Sequence, residues 1–184
     1  MNKIIRLTLY LGFVTLVSGS ILLYVNNTTL PNIQKQALDA KKQALQVVMP
    51  NATGFEGTND QVSFDEQTVF KALNNNKLVG YIFASSPKGY SGPVNLFVGI
   101  ANKQITGVMI LSQTETPGLG AVAEDPKPLK GYAFSFLGQF NQKSISDKFM
   151  AKQDIVALTG ATITSQAISN GVKDAINQYN QMRK

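Results

Sequence analysis

The segment Val94-Asn95-Leu96-Phe97-Val98-Gly99-Ile100, Ala101-Asn102-Lys103-Gln104, Ile105-Thr106-Gly107-Val108-Met109-Ile110-Leu111 decides the fold class. Its two outer runs are apolar and rich in Val, Ile and Leu, the composition of buried strands. The polar tetrapeptide between them is too short for a crossover, so the runs pair antiparallel. Two more runs, Thr68 to Ala72 and Leu78 to Ser85, precede them, divided by the turn clusters Asn74-Asn75-Asn76 and Pro87-Lys88-Gly89-Tyr90-Ser91-Gly92-Pro93. Downstream, Ala133, Phe136, Leu137 and Phe140 mark a short helix, and from Gln166 to Lys184 the residues Ile168, Val172, Ala175, Ile176 and Tyr179 recur at helical spacing. The expected class is α+β, with a mainly antiparallel sheet and flanking helices over residues 51–184.

Upstream the pattern changes. Leu7 to Val25 carries no charge and is long enough to cross a hydrocarbon core of about 30 Å. We read residues 1–28 as an uncleaved transmembrane anchor. A cleaved signal peptide is the rival, but Ile21-Leu22-Leu23-Tyr24-Val25 continues the apolar stretch past the loose cleavage site Val17-Ser18-Gly19. Lys3 and Arg6 before the span place the N-terminus in the cytoplasm and the domain outside. A connecting helix is expected over residues 29–50: Pro31 suits a first helical turn, and Ile33, Ala37, Ala40, Ala44, Leu45 and Val48 lie on one side. Pro50-Asn51-Ala52-Thr53-Gly54 ends it.

Composition narrows the chemistry. The chain of 184 residues has no His and no Cys, so it lacks the commonest general base, the commonest metal ligand and the best nucleophile. Redox or transfer chemistry needs a cofactor, and no metal site is expected. The net charge of +6 comes without a Lys/Arg run interleaved with aromatics, so it points to anionic lipid head groups and not to nucleic acid.

The residues left to hold a cofactor are the hydroxyls of Thr159-Gly160-Ala161-Thr162-Ile163-Thr164-Ser165, at the start of the C-terminal helix. Thr164 or Ser165 is a natural N-cap, and Gly160 and Ala161 let a bulky ligand approach the backbone. Free N–H groups and the helix dipole suit an anion there. An ordinary capped helix is the plain alternative. No Lys follows the glycine, so the run is not a Walker loop, and it is not a dinucleotide fingerprint. A second unusual loop is Glu115-Thr116-Pro117-Gly118-Leu119-Gly120, whose Pro-Gly sets a type II turn.

Gly89-Tyr90-Ser91-Gly92-Pro93, Val98-Gly99-Ile100, Ile105-Thr106-Gly107-Val108, the Glu115–Gly120 loop and the Thr159–Ser165 run occur in the order and spacing of the FMN-binding domain family. The chain resembles the G subunits of Rnf ion-translocating electron transport complexes and, more distantly, the C subunits of sodium-translocating NADH:quinone reductases. The resemblance covers nearly the whole chain. It implies FMN attached covalently by a phosphodiester to the last Thr of the Thr-Gly-Ala-Thr motif, here Thr162, with Thr159, Gly160, Ala161, Thr164 and Ser165 around the phosphate. Glu115, Thr116, Pro117, Gly118, Leu119 and Gly120 would form a wall near the flavin. It implies an electron-carrying member of a ferredoxin:NAD oxidoreductase complex rather than a complete enzyme. Its implied partners are other membrane subunits, including a second flavin-bearing one, a flavin transferase for maturation, and membrane lipid.

One position departs from the family pattern. An acidic residue usually stands three positions before the first Thr of the motif and is thought to guide the transferase; here that position is Val156, and the nearest acid is Asp154. Two other readings remain open on the residues alone: a stand-alone anchored flavoprotein serving an extracellular acceptor, and a cofactor-free anchored binding module.

Overall fold

The structure, a computed structural model, describes residues 3–57 and 68–183. It divides into two compact units, Met1–Lys41 and Lys42–Lys184. Helix α1 (Lys3–Val48) begins in the first and ends in the second.

In the first unit, Lys3–Pro31 is long and apolar enough to cross a membrane, with mean hydropathy 1.8 and none of it buried. Four of its hydroxyls are satisfied within the helix. Thr8, Thr15, Ser20 and Thr28 each donate to the carbonyl four residues back, at 2.8–3.1 Å, as a lipid-facing hydroxyl must. The separate helix expected to start at Pro31 does not form: α1 runs through Pro31 without a break. Proline removes one backbone donor at a cost of about 3 kcal/mol. The good helix formers that follow, including Lys35, Gln36 and Lys41, carry the helix on. Ile33 and Ala40 are exposed, and burial is confined to Ala44, Leu45 and Val48; the side chain of Ala37 lies outside those described.

The second unit is built on a five-stranded antiparallel meander: β1 (Gly54–Gly57), β2 (Val69–Asn74), β3 (Lys77–Ser85), β4 (Asn95–Ala101) and β5 (Gln104–Ser112), in chain order across the sheet. The hairpins β2–β3 and β4–β5 close through Asn75-Asn76 and Asn102-Lys103, all four at positive φ between 48° and 62°, the turn whose twist matches paired strands. Alternation along the strands makes two apolar faces. Phe83, Leu96, Val98 and Ile100 pack with Ile168, Val172, Ala175, Ile176 and Tyr179 of helix α2 (Thr162–Met182). Ile82, Ala84 and Phe97 pack on the other face with Ala44, Leu45 and Val48 at the end of α1.

Two glycines make the second contact possible. Gly99 and Gly107 face each other across β4 and β5. A Cβ on either would come within 2.9 Å of the Val48 carbonyl oxygen. That carbonyl is one of the orphan acceptors at a helix C-terminus, and the Thr106 hydroxyl donates to it at 2.8 Å.

Three local expectations change. β1 is an addition, because Gly-Phe-Glu-Gly has no strand pattern of its own; pairing with β2 creates it. The short helix marked by Ala133, Phe136, Leu137 and Phe140 is only a 3₁₀ turn, Gly138–Phe140, since Ser135 Oγ captures the Gly138 N–H at 3.1 Å and competes with helix hydrogen bonding. Phe136 and Phe140 are nevertheless buried. Helix α2 begins at Thr162, ahead of the expected Gln166; the expected end, Lys184, lies outside the described residues.

Candidate functional site

The hydroxyl cluster turns the chain into α2. Leu158 carbonyl accepts the Ala161 N–H at 3.1 Å, Gly160 takes φ +76°, and Thr162 is the first helical residue. An L side chain at Gly160 would be strained at that φ and would also press on Leu119. The first helical bond runs from Ser165 N–H to the Ala161 carbonyl at 3.0 Å. The amides of the preceding turn are the orphan donors of the helix end.

Thr164 and Ser165 are not N-caps; Ala161 holds the cap position, without a side-chain bond. Because the helix starts at Thr162, both hydroxyls fall inside its first turn and are buried. Ser165 Oγ donates to the Ala161 carbonyl at 2.9 Å and accepts the Leu158 N–H at 3.0 Å, which locks the approach to the helix. Thr164 Oγ1 donates to Glu115 Oε2. Thr162, by contrast, is exposed, as is Thr159.

The opposite wall is the Glu115–Gly120 loop. Gly118 sits at φ +77°, as the second central residue of a type II turn requires. Thr116 carbonyl accepts the N–H groups of Leu119 at 3.1 Å and Ala121 at 3.3 Å, and a 3₁₀ turn follows over Gly120–Glu124. Gly120 has no room for a side chain: a Cβ would lie 2.6 Å from Glu115 Oε2.

Between these walls lies a cleft of about 470 Å³. Gly160, Ala161, Thr162 and Thr164 line one side, and Glu115, Thr116, Leu119 and Gly120 the other. Thr159, Ser165, Pro117 and Gly118 are outside the lining and shape the turns behind it. Tyr90 and Ile163 also line the cleft. Sequence reasoning does not single them out as site residues, although both stand inside the quoted motifs. Their signal is an apolar or aromatic residue at a turn tip or helix start with no core to join: Tyr90 is 69% exposed and Ile163 56%. With Leu119, they give the cleft an apolar lip beside a helix N-terminus. That pairing of surfaces fits a molecule with a flat apolar ring and a phosphate.

In the segment that leads to the hydroxyl cluster, Asp154 ties down its own loop. Its oxygens accept the N–H groups of Phe149 and Met150, both at 2.7 Å, and hold Phe149 at φ 48° with its ring buried. Partial burial pulls the Asp154 carboxyl upward, but the N–H donors of Met150, Phe149 and Asp154 itself, together with the charge of Lys143, outweigh it and leave the group below its ordinary range. Val156 is held through its backbone, donating to Gln139 Oε1 at 2.8 Å and accepting from Gln139 Nε2 at 3.2 Å.

Residues 89–177, which include both walls, match the FMN-binding domain family. Over nearly its whole length the chain is similar to the G subunit of the proton-translocating ferredoxin:NAD(+) oxidoreductase complex of Clostridium ljungdahlii, at 32% identity covering 96% of this chain and 92% of the relative. The chain belongs to the family of G subunits of ion-translocating oxidoreductase complexes. It is also similar to the G subunit of the Na(+)-translocating ferredoxin:NAD(+) oxidoreductase complex of Acetobacterium woodii, at 29% identity over 98% of this chain and 94% of that one. Among solved structures, the C subunit of the Na(+)-translocating NADH-quinone reductase from Parabacteroides distasonis shares the fold, with TM-score 0.59 and 22% identity over 82% of this chain and 94% of the other. As a member of the G-subunit family with an apolar N-terminal helix, the chain is a membrane-anchored protein with an FMN-binding domain.

Proposed function

We propose that this chain is the electron-relaying member of a membrane-bound ferredoxin:NAD oxidoreductase complex that moves ions, and that it carries FMN as a phosphodiester on Thr162. The observation that carries the reading is the position of Thr162: an exposed hydroxyl at the first residue of α2, on the rim of a cleft with an apolar lip. FMN bound there supplies one- and two-electron chemistry that none of the chain's own side chains can perform.

The chain's residues do the holding. Gly160 and Ala161 keep the backbone open next to the Thr162 hydroxyl, and the free amides of the first helical turn face a phosphoryl group. Tyr90, Leu119 and Ile163 offer apolar surface to a ring system and shield it from water. Charge favours a covalent link: among the described residues lining the cleft there is no Lys or Arg, and Glu115 is acidic. A free phosphate monoester carries about −1.5 to −2 at neutral pH and would meet no cation. A diester carries less charge and needs no affinity to stay in place.

The partners of this reading are the other membrane subunits of the complex, among them a second flavin carrier, together with a flavin transferase and the lipid around Lys3–Pro31. By the positive-inside rule, Lys3 and Arg6 favour a cytoplasmic N-terminus and support an FMN domain outside. A denaturing gel tests the attachment. Flavin fluorescence persists in the wild type and in Thr159→Ala, and is lost in Thr162→Ala. Fluorescence retained by Thr162→Ala contradicts the assignment.

A further inference from the structure

Glu115 is a buried carboxylate that the relay reading uses only for its charge. Only 5% of it is exposed. Oε1 accepts the Ser91 N–H at 3.0 Å, and Oε2 accepts the Thr164 hydroxyl. Both bonds are donated to it, the pattern suited to an acceptor-only group. Among the described residues it makes no ion pair. Glycines press against both oxygens: a Cβ at Gly89 would collide with Oε1, and one at Gly120 would lie 2.6 Å from Oε2. Both oxygens are engaged and crowded by the two glycines, while Glu115 still lines the cleft.

Its two partners belong to the surfaces that shape the cleft. Ser91 lies in the tight turn closed by Gly89 N–H to the Gly92 carbonyl at 2.7 Å, whose tip presents Tyr90 to the cleft. Thr164 lies in the first turn of α2, which presents Thr162. Glu115 itself anchors the loop bearing Thr116 and Leu119. Three chain segments far apart in sequence thus meet on one carboxylate. That carboxylate is also the only charged side chain among the described residues lining the cleft.

We propose that Glu115 is the positioning residue of this cleft: it latches the Tyr90 turn and the first turn of α2 to the Thr116–Gly120 loop, and its uncompensated charge lowers the reduction potential of a flavin held there. The latch follows from the hydrogen bonds. The effect on potential follows from electrostatics, because reduction adds electrons to the ring and a nearby anion in a site of low dielectric opposes that. The second half rests on the flavin-bearing reading above; the first does not.

Glu115→Gln and Glu115→Ala separate the two. Gln keeps the shape; its amide oxygen accepts the Ser91 N–H, and the Thr164 hydroxyl turns to accept from the amide nitrogen. In full-length protein made flavin-free by Thr162→Ala, hydrogen exchange of the Ser91 amide speeds up about tenfold with Glu115→Ala, the loss of one net hydrogen bond, and stays protected with Glu115→Gln. In flavinylated full-length protein made under limiting transferase, Glu115→Ala lowers the flavin-to-protein ratio and Glu115→Gln restores it. A redox titration of Glu115→Gln gives a midpoint potential above that of the wild type. If Glu115→Ala does not fold, Thr164→Val replaces it: it removes one arm of the latch and keeps the charge, so the flavin ratio falls while the potential stays at the wild-type value. Unchanged Ser91 exchange in Glu115→Ala, or a wild-type potential in Glu115→Gln, overturns the proposal. A wild-type protein without flavin would sink the relay reading, while the exchange result would still decide the latch.

Discussion

Asp154 and Val156 show at the residue scale how position in a loop decides what a side chain can do. In the sequence, Asp154 is a candidate to replace the family's acid at the position of Val156. In the structure its two oxygens are committed to the Phe149 and Met150 amides, which makes it a structural tie. Asp154→Asn should therefore destabilise the full chain in detergent by about 1 to 2 kcal/mol near neutral pH, read by chemical denaturation. The sign follows from the lowered pKa: the carboxylate's contribution is complete above the unfolded-state value, near 3.8, and is lost as pH falls through the lower folded value. The gap between wild type and Asp154→Asn should narrow in acid; a gap that widens there contradicts the tie. Because Asp154 is occupied, Val156→Asp should raise the flavinylated fraction when transferase is limiting, and Asp154→Asn should leave it unchanged wherever the protein stays folded. An unchanged flavin-to-protein ratio in Val156→Asp would mean that the acid has no role in recognition here. Residues alone reveal the hydroxyl cluster and the glycine-rich loop. They do not reveal the commitment of Thr164, which bonds to Glu115 across distant loops, nor that of Ser165 and Asp154, whose bonds are local but depend on the path the irregular chain takes before the helix.

Elements are legible where their signal is local. Apolar runs and Asn-rich turns place four of the five strands within a residue or two, since tight hairpins leave no other pairing. β1 escapes because its identity is conferred by β2, and the start of α2 because Thr and Ile residues carry no strong helix signal. Pro31 misleads in the other direction: a proline is compatible with a helix start and, at a cost, with a helix interior. The glycines of Val98-Gly99-Ile100 and Thr106-Gly107-Val108, which help suggest the family, turn out to serve packing. They seat the end of α1 on the sheet and leave the Val48 carbonyl within reach of Thr106. Gly107→Ala should cost about 1 to 3 kcal/mol by overpacking against the Val48 backbone, measured as a fall in the denaturation midpoint. A neutral result would mean that this end of α1 can move away without loss.

For the whole molecule, the sequence separates an anchor from a domain by hydropathy alone, and helix α1 contains the anchor without a break. The proposed sidedness rests on Lys3 and Arg6 and is opposed by Lys35, Lys41 and Lys42 beyond the span. Protease added to intact spheroplasts should digest the domain beyond Pro31 and leave a membrane fragment; digestion confined to inverted vesicles would put the domain in the cytoplasm. The relay account depends most on the bond at Thr162. The most direct measurement is the mass of the protein purified from its native membrane, intact and after digestion to the peptide containing Thr162. The account predicts an increment of one FMN less one water, carried by that peptide and located on Thr162. An unmodified mass, or the same increment on any other residue, would contradict it.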